Sequence, residues 1–357
     1  MLRAIAAVMG RASARARPDW GARPYRVLFL RHDRIGDMIL STGVIRAIAE
    51  SHPTIRLDVL ASPANAPVLS HDPHVASVVV VDTRKPLGYP AAAWRLRRAR
   101  YDAVVDCMVT HPSLTTLLLM LASGAPHRVG VAEHGNEFAY TIPVPPLAGE
   151  RHIVEHLATL AGAFGVNVDA TDFRPAIALA AAEREAAERR WDAPDTGNTS
   201  EAVEAAARAR PRRVLVNVST GIPQRGWPDE RFVAALRHVR RRDPSARVLV
   251  IGSPADAGRA ERVAREGGAA YARTPALREA LALVATADLV FTPDTSIAHA
   301  ASAFRRPAVA MFIPRNLARW HLYGTAGRSL VSTENQLESL PLEPVLEALD
   351  EMLASSV

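Results

Sequence analysis

The feature that most constrains this chain is an alternation that runs through it twice. Short apolar runs rich in β-branched residues are each followed by a segment of helical periodicity. Val27–Leu30 reads as a strand, Asp37–Ser51 as a helix and Leu57–Ala61 as a strand. Val78–Val81 and Ala103–Asp106 are further strand-like runs, and Ser113–Ala122 reads as a helix. After residue 212 the pattern starts again, with strands at Val214–Val218, Arg247–Ile251, Leu289–Thr292 and Ala308–Phe312. Helices at Asp229–Arg242, Leu277–Ala285, Thr295–Phe304 and Glu343–Leu353 fall between and after them. A strand that reaches the next strand only through a helix pairs with it in parallel, by a right-handed crossover. The expected class is therefore α/β, with two Rossmann-like domains built on parallel sheets.

Length supports two domains, since 357 residues exceed the ~250–300 beyond which one core tends to split. The expected borders are a basic leader at 1–24, one domain at 25–180, an interdomain region at 181–212, a second domain at 213–335 and a C-terminal helix at 336–357. Within the first domain, Arg151–Gly165 places Ile153, Val154, Leu157, Leu160, Ala161 and Phe164 on one face of an amphipathic helix. His152 and His156 at its start read as packing residues.

Composition excludes several function classes. The one cysteine, Cys107, rules out a disulfide framework or a cysteine-based metal site and fits a reducing compartment. No run approaches the ~18 apolar residues of a membrane span. The net charge of +6 invites a nucleic-acid reading. Yet Lys85 is the single lysine and the arginines are scattered along the chain, so no nucleic-acid partner is expected. The leader MLRAIAAVMGRASARARPDWGARP has two open readings, a basic helix lying on anionic lipid or a disordered tail.

In parallel sheets ligands collect beyond the carboxyl ends of the strands. The unusual residues cluster there, at 33–37, 106–111, 219–225, 252–256 and 293–299. The first strand runs into R-H-D-R-I-G-D, which carries two carboxylates where a phosphate-cradling loop would be glycine-rich. Asp33 reads as a surface partner of Arg31 or Arg34, with setting the position or pKa of Asp37 as the alternative. In FTPDTSIAHAASAF, Asp294 ends a strand at a helix N-cap position, with Thr295 and Ser296 in the first turn. A helix N-terminus offers unpaired N–H groups and partial positive charge, which suit a diphosphate. A merely capped helix accounts for Asp294 but not for His299 at the same mouth.

In NVSTGIPQRGWPDERF the turn Ser219-Thr220-Gly221 is followed by Arg225, a permanent cation with paired donors. In VLVIGSPAD, Asp256 reads equally as an acceptor of ribose hydroxyls or as a helix cap. His111, His134 and Asn136 read as polar loop residues. Trp94 with Arg95, Arg97, Arg98 and Arg100 reads as a solvated helix face, with contact to lipid phosphates as the alternative.

These stretches, in order, resemble the ADP-heptose–lipopolysaccharide heptosyltransferases, glycosyltransferase family 9. The resemblance starts at D-R-I-G-D and continues through R-V-G at 128–130, HIVEHLATLAGAFGV and S-T-G…R-G-W-P. It ends with GSPAD, LREALALVATADLVFTPDTSIAHAASAF and R-W-H-L-Y-G. It implies a GT-B fold, two Rossmann-like domains facing across a cleft, and inverting, metal-independent transfer with no cofactor. The first domain would take the acceptor, a lipopolysaccharide core or related surface glycan, and the second the donor, ADP-heptose. Asp37 would be the catalytic base, and Thr220, Arg225, Asp256, Asp294, Thr295, Ser296, Ile297 and His299 would bind the donor. Arg34 and His111 are acceptor-side candidates, and no metal ligands are expected. The implied location is the cytoplasm, with peripheral contact at the inner face of the inner membrane.

Three departures from the family pattern stand out, and the first two leave the donor sugar open, while the third is mild in a chain with one lysine. Ser296 stands in place of glycine, Ile313 where glycine is frequent, and Arg225 in place of lysine. A same-fold transferase using another nucleotide-sugar, or a non-catalytic sugar-nucleotide-binding protein, are the alternatives. The single cysteine argues against the family's iron-containing branch.

Overall fold

The computed structural model describes residues 15–82, 84–85, 87–133, 135–192 and 210–355. The expectations for most of the leader, for His134 and for the turn-rich stretch 193–209 lie outside the described residues. The chain divides into two compact units, Met1–Ala178 and Leu179–Val357.

The first unit carries six strands, β1 (Tyr25–Leu30), β2 (Ile55–Ala61), β3 (Ser77–Val80), β4 (Ala103–Asp106), β5 (His127–Val131) and β6 (Ile142–Val144). They pair in the order β3-β2-β1-β4-β5-β6, all parallel. The second unit repeats the design with β7 (Arg213–Asn217), β8 (Arg247–Ile251), β9 (Ala270–Tyr271), β10 (Leu289–Pro293), β11 (Ala308–Phe312) and β12 (Gly327–Val331). Its order, β12-β11-β10-β7-β8-β9, is the same permutation, again all parallel. In each sheet the strand order reverses beside the first strand, between β1 and β4 and between β7 and β10. Such switch points open a crevice at the carboxyl ends of the strands.

Sheets covered on both faces need strands apolar throughout rather than alternating. β10 and β11 are buried at every position, and β1 at all but Arg26. The helices that cover the first sheet are α1 (Ile35–Ser51), α2 (Gly88–Ala99), α3 (Leu114–Ser123) and the short α4 (Ile153–Ala158). α1 starts two residues before the expected Asp37, so Asp37 lies inside its first turn. Gly43, midway along it, is needed for close approach, because a Cβ there would stand 2.0 Å from the Phe173 carbonyl oxygen.

The expected continuous helix at 151–165 is instead α4 followed by a 3₁₀ segment, Thr159–Phe164, closed by Gly165 at φ +82°. A left-handed residue with no Cβ is the usual way to end a helix. His152 and His156 are buried, as read, and His152 caps α4 by accepting from the Val154 amide.

In the second unit the helices are α5 (Ala181–Asp192), α6 (Asp229–Arg242), α7 (Ala257–Gly267), α8 (Leu277–Thr286), α9 (Ser296–Ala303), α10 (Pro314–Trp320) and α11 (Glu343–Ala354). α5 packs on α8: the buried Trp191 donates its indole N–H to Thr286 at 2.9 Å, and Arg190 pairs with Glu279 at 2.9 Å. α11 closes the core beside α6, burying Val345, Ala348 and Leu349. Among the described residues no helix is long and apolar enough to cross a membrane.

Candidate functional site

The second switch point gathers most of the candidate donor residues. Asn217, the last residue of β7, reaches across to β10, its side-chain amide 3.0 Å from Thr292 Oγ1 and 3.2 Å from Thr295 Oγ1. The same amide donates to the Ser219 carbonyl at 3.1 Å, which fixes the turn leaving β7. Ser219 Oγ accepts from the Ser253 amide at 2.7 Å and so ties that turn to the loop after β8. Gly252 permits this approach, since a Cβ there would lie 3.0 Å from Ser219 Oγ and 2.9 Å from Ala260 Cβ.

Helix α9 opens directly beyond β10. Its cap is Thr295 rather than the expected Asp294: Thr295 is extended, and its hydroxyl accepts from the Ile297 amide at 3.2 Å. Asp294 is one residue too early to cap and turns inward, 2 % exposed. There it accepts from the Asn316 side-chain amide of α10 at 2.6 Å and meets Arg225 at 3.2 Å. Arg225 ends a 3₁₀ turn, Pro223–Arg225, and also donates to the Asp294 carbonyl at 3.2 Å. Arg225 and the amino end of α9 therefore share one mouth, and both contribute positive potential to it. With the Ile297 amide taken by the Thr295 hydroxyl and the Ala298 amide by its carbonyl, the amide of Ser296 is the one at the open end. Ile297 is itself buried, so it lines the helix interior more than the mouth.

His299, one turn into α9, is 5 % exposed, and its ring centroid lies 6.1 Å from that of Trp320. Burial, and then the Arg225 charge, lower its pKa to about 4, so the imidazole is neutral near pH 7. Thr220 folds its hydroxyl onto Ile222, accepting from that amide and donating to that carbonyl, each at 3.2 Å. Asp256 lies one strand further along, where its carboxylate accepts the Ser253 hydroxyl at 2.8 Å. It precedes α7 without a side-chain cap bond, and Ser253 caps this 3₁₀ turn instead. Ile313 is fully buried in the apolar core of the second unit, so its side chain does not shape the mouth of α9 as the departure from glycine suggested.

At the first switch point the organising residue is Arg31, at the end of β1. Its guanidinium donates to Ser41 Oγ at 3.0 Å, Asp33 at 3.0 Å and the Cys107 carbonyl at 3.2 Å. Asp33 is exposed and pairs with Arg31 as expected, but the pair is anchored from below, since the Arg31 side chain is 4 % exposed. Burial opposes its charge, but the Asp33 and Asp37 carboxylates outweigh it and raise its pKa. Asp37 is half-buried, in the first turn of α1, and its carbonyl accepts from Ser41. Beside it, the end of β4 holds Asp106, fully buried, which accepts from the Tyr140 hydroxyl at 2.8 Å and the Met108 amide at 3.0 Å. Burial raises the Asp106 pKa. Gly130 makes room for that tyrosine, since a Cβ there would stand 2.2 Å from its ring. Asn136 is buried and staples its own loop, accepting from the Glu133 amide and donating to Tyr140 and the Val131 carbonyl. Arg34 is exposed at the start of α1. His111 is exposed after β4 and bonds to Thr110 at 3.2 Å, so the structure draws neither into the Arg31 cluster.

Asn217 and Asn316 are residues that the sequence reading passed over, and Arg31 was read only as a partner of Asp33. Asn217 carried a signal, being a polar residue at the last position of an otherwise apolar strand. Asn316 carried none, as its role depends on where α10 packs.

Comparison with known proteins places this geometry. The profile of glycosyltransferase family 9 (heptosyltransferase) matches residues 91–346, which includes every donor candidate and begins after Asp37. Lipopolysaccharide heptosyltransferase 2 of Escherichia coli is 24% identical over 311 residues, 81% of this chain and 83% of that protein. The glycosyltransferase family 9 structure from Veillonella parvula superposes with a TM-score of 0.79 at 18% identity, covering 94% of this chain and 99% of that one. The E. coli heptosyltransferase WaaC, solved with ADP, gives 0.69 at 19% identity, covering 92% and 99%. WaaC has also been solved with ADP-2-deoxy-2-fluoro heptose, and that structure superposes at 0.68 with 19% identity over 91% and 99%. The two parallel six-stranded sheets thus form a GT-B-like fold, and the chain belongs to glycosyltransferase family 9 as a heptosyltransferase-like enzyme.

Proposed function

We propose that this glycosyltransferase moves heptose from ADP-heptose to a lipopolysaccharide core or related surface glycan, with inversion and without a metal. The observation that carries this reading is the mouth of α9, where Arg225, steadied by Asp294, adjoins the open amide of Ser296 and the neutral His299. That mouth suits a diphosphate, and WaaC, which shares the fold, was solved with ADP and with an ADP-heptose analogue.

In this reading the first domain takes the acceptor and the second the donor. Asp256 accepts the ribose hydroxyls, and Thr220 with Ser296 holds the phosphates. Thr295 shapes the helix mouth, and Ile297 packs beneath it. Asp294 repels the donor's charge if it faces it, so its part is to orient the Arg225 donors. Asp37 takes the proton of the acceptor hydroxyl as that oxygen attacks the anomeric carbon. The new C–O bond forms as the bond from C1 to the diphosphate oxygen breaks, and ADP leaves with the electron pair. Arg225 and the helix dipole stabilise that developing charge. Arg34 and His111 are at most peripheral contacts of the acceptor. The reaction so described belongs in the cytoplasm, with peripheral contact at the inner face of the inner membrane.

The test is calorimetric titration of the protein with ADP, UDP, GDP and CDP in EDTA, followed by transfer assays on truncated lipopolysaccharides. Selective ADP binding and EDTA-resistant transfer are expected. Asp37→Ala should abolish transfer while ADP affinity stays within a few-fold. Preference for another diphosphate would favour a different donor sugar, and wild-type turnover by Asp37→Ala would remove the base.

A further inference from the structure

Helix α2 turns a face to solvent that the transfer reaction does not use. Leu87, Ala91, Trp94, Arg95 and Arg98 recur at three- and four-residue intervals and are all exposed, while Ala92 and Leu96 on the other side are buried in the core. Leu87 is 73% and Trp94 61% exposed. Arg84 and Lys85 precede this face, Arg97 and Arg100 continue it, and α2 contains no acidic residue. Among the described residues no carboxylate pairs with Arg95, Arg97, Arg98 or Arg100, whereas the nearby Asp82 and Asp102 are engaged by Arg84 and Arg23. Arg100 even takes φ +53°, a helix-ending conformation that glycine adopts at less cost.

Beside the helix end lies a cavity of about 800 Å³ whose lining includes Arg97, Arg98, Arg100, Ser123 and Gly124, together with Asp102, whose carboxylate is already paired with Arg23. Arg98 joins the cavity to the apolar face, with its guanidinium carbon 4.7 Å from the centroid of the Trp94 ring. We propose that this face docks on an anionic bilayer, Leu87 and Trp94 entering the headgroup level and the arginine cavity taking lipid phosphates. Interfacial helices pair aromatic and leucine side chains with flanking cations in this way, and each cation adds attraction to anionic lipid. A single-stranded nucleic acid needs an open aromatic face for stacking, but Arg98 covers one face of Trp94 and the other large exposed side chain is Leu87. α2 leaves the carboxyl edge of the first sheet and ends at its amino edge, so a bilayer on this face lies along the flank of the unit. The Arg31–Asp37 crevice then stays open at one end of the contact.

The experiment is flotation of the full chain with phosphatidylcholine vesicles, with and without about 30% phosphatidylglycerol, alongside tryptophan emission. Binding to the anionic vesicles alone is expected, weakening with salt, with a blue shift that Trp94→Phe removes and Trp320→Phe does not, since Trp20, Trp191 and Trp227 are already buried and the half-buried Trp320 belongs to the second unit. Replacing Arg97, Arg98 and Arg100 by Gln should lower partitioning on the order of 100-fold, and lysine at the three positions should restore it. Replacing the exposed Arg241, Arg265 and Arg305 of the second unit by Gln should cost far less. Equal loss from both triple variants would overturn the proposal, as would loss only on replacing the leader arginines Arg3 and Arg11. Displacement from vesicles by single-stranded RNA with retention of the Trp94 shift would assign the face to nucleic acid instead.

Discussion

The guanidinium of Arg225 meets Asp294 at two points, the carboxylate and the backbone carbonyl, both at 3.2 Å. The carboxylate is 2% exposed, and Asn316 completes its coordination at 2.6 Å. Breaking a buried pair by removing one partner leaves a charge with little compensation, at a cost of roughly 3–5 kcal/mol. Because Asn316 remains, Arg225→Met should destabilise by about 3 kcal/mol in urea denaturation. Arg225→Lys should recover part of this, because it keeps a positive charge with several donors near Asp294, though on a differently shaped side chain. A change below about 0.5 kcal/mol would show that Asp294 does not depend on Arg225.

His299 sets a pH dependence whose sign follows from its depressed pKa. The folded value is about 4, below the ordinary value near 6.5, so the unfolded chain binds this proton more readily. The stability it contributes is present above about pH 6.5 and is lost as pH falls toward 4. A shift of this size corresponds to about 3 kcal/mol. His299→Gln should therefore flatten the stability profile between these limits relative to the parent, as read from denaturant midpoints. Parallel profiles for the two proteins would place the acid sensitivity elsewhere. His32 and His127, also lowered chiefly by burial, act in the same direction in both proteins and cancel in the comparison.

Gly43 supplies a case where helix propensity and packing oppose each other. Alanine is favoured over glycine inside a helix by about 1 kcal/mol. Here the added Cβ would lie 2.0 Å from the Phe173 carbonyl oxygen and 2.5 Å from its carbon, and backbone cannot rotate away as a side chain can. Gly43→Ala should destabilise the first unit by more than 2 kcal/mol and expose the 173–174 segment to hydrogen exchange. A stabilised variant would mean that this segment shifts freely.

These cases mark how far the sequence could be read. Strands buried on both faces, such as β10 and β11, announce themselves as uninterrupted apolar runs, and their helices follow from period. The short strands β6 and β9 and the helix α10 lack such runs, because their place depends on neighbours already in position. The 3₁₀ segment after α4 was hidden for a related reason: its apolar spacing fits an α-helix, and the tighter turn answers to the core around it. At the candidate site, the residues proposed for the donor were legible because they follow strand ends. Arg225, Thr295, Ser296 and His299 meet at the amino end of α9, while Ile297 packs inside the helix and Asp256 lies one strand further along. What the pattern could not give was direction. Asp294 looks like a cap until the structure turns it toward Asn316, and Ile313 looks like a pocket residue until it is found in the core.

Arg31 offers the sharpest test of the proposed base. Its side chain is buried, held by Ser41, Asp33 and the Cys107 carbonyl, and its raised pKa reflects attraction to Asp37 as well as to Asp33. That attraction is mutual, so removing the Arg31 charge takes away a fixed cation that attracts the Asp37 carboxylate. Arg31→Met should accordingly lower kcat and move the acid limb of the kcat profile upward, with ADP affinity unchanged. Arg31→Lys keeps the charge while losing the fork, so it should lower kcat and leave the limb in place. If both variants lose activity with unmoved limbs, Arg31 is a scaffold for the turn and not a positioning residue for Asp37.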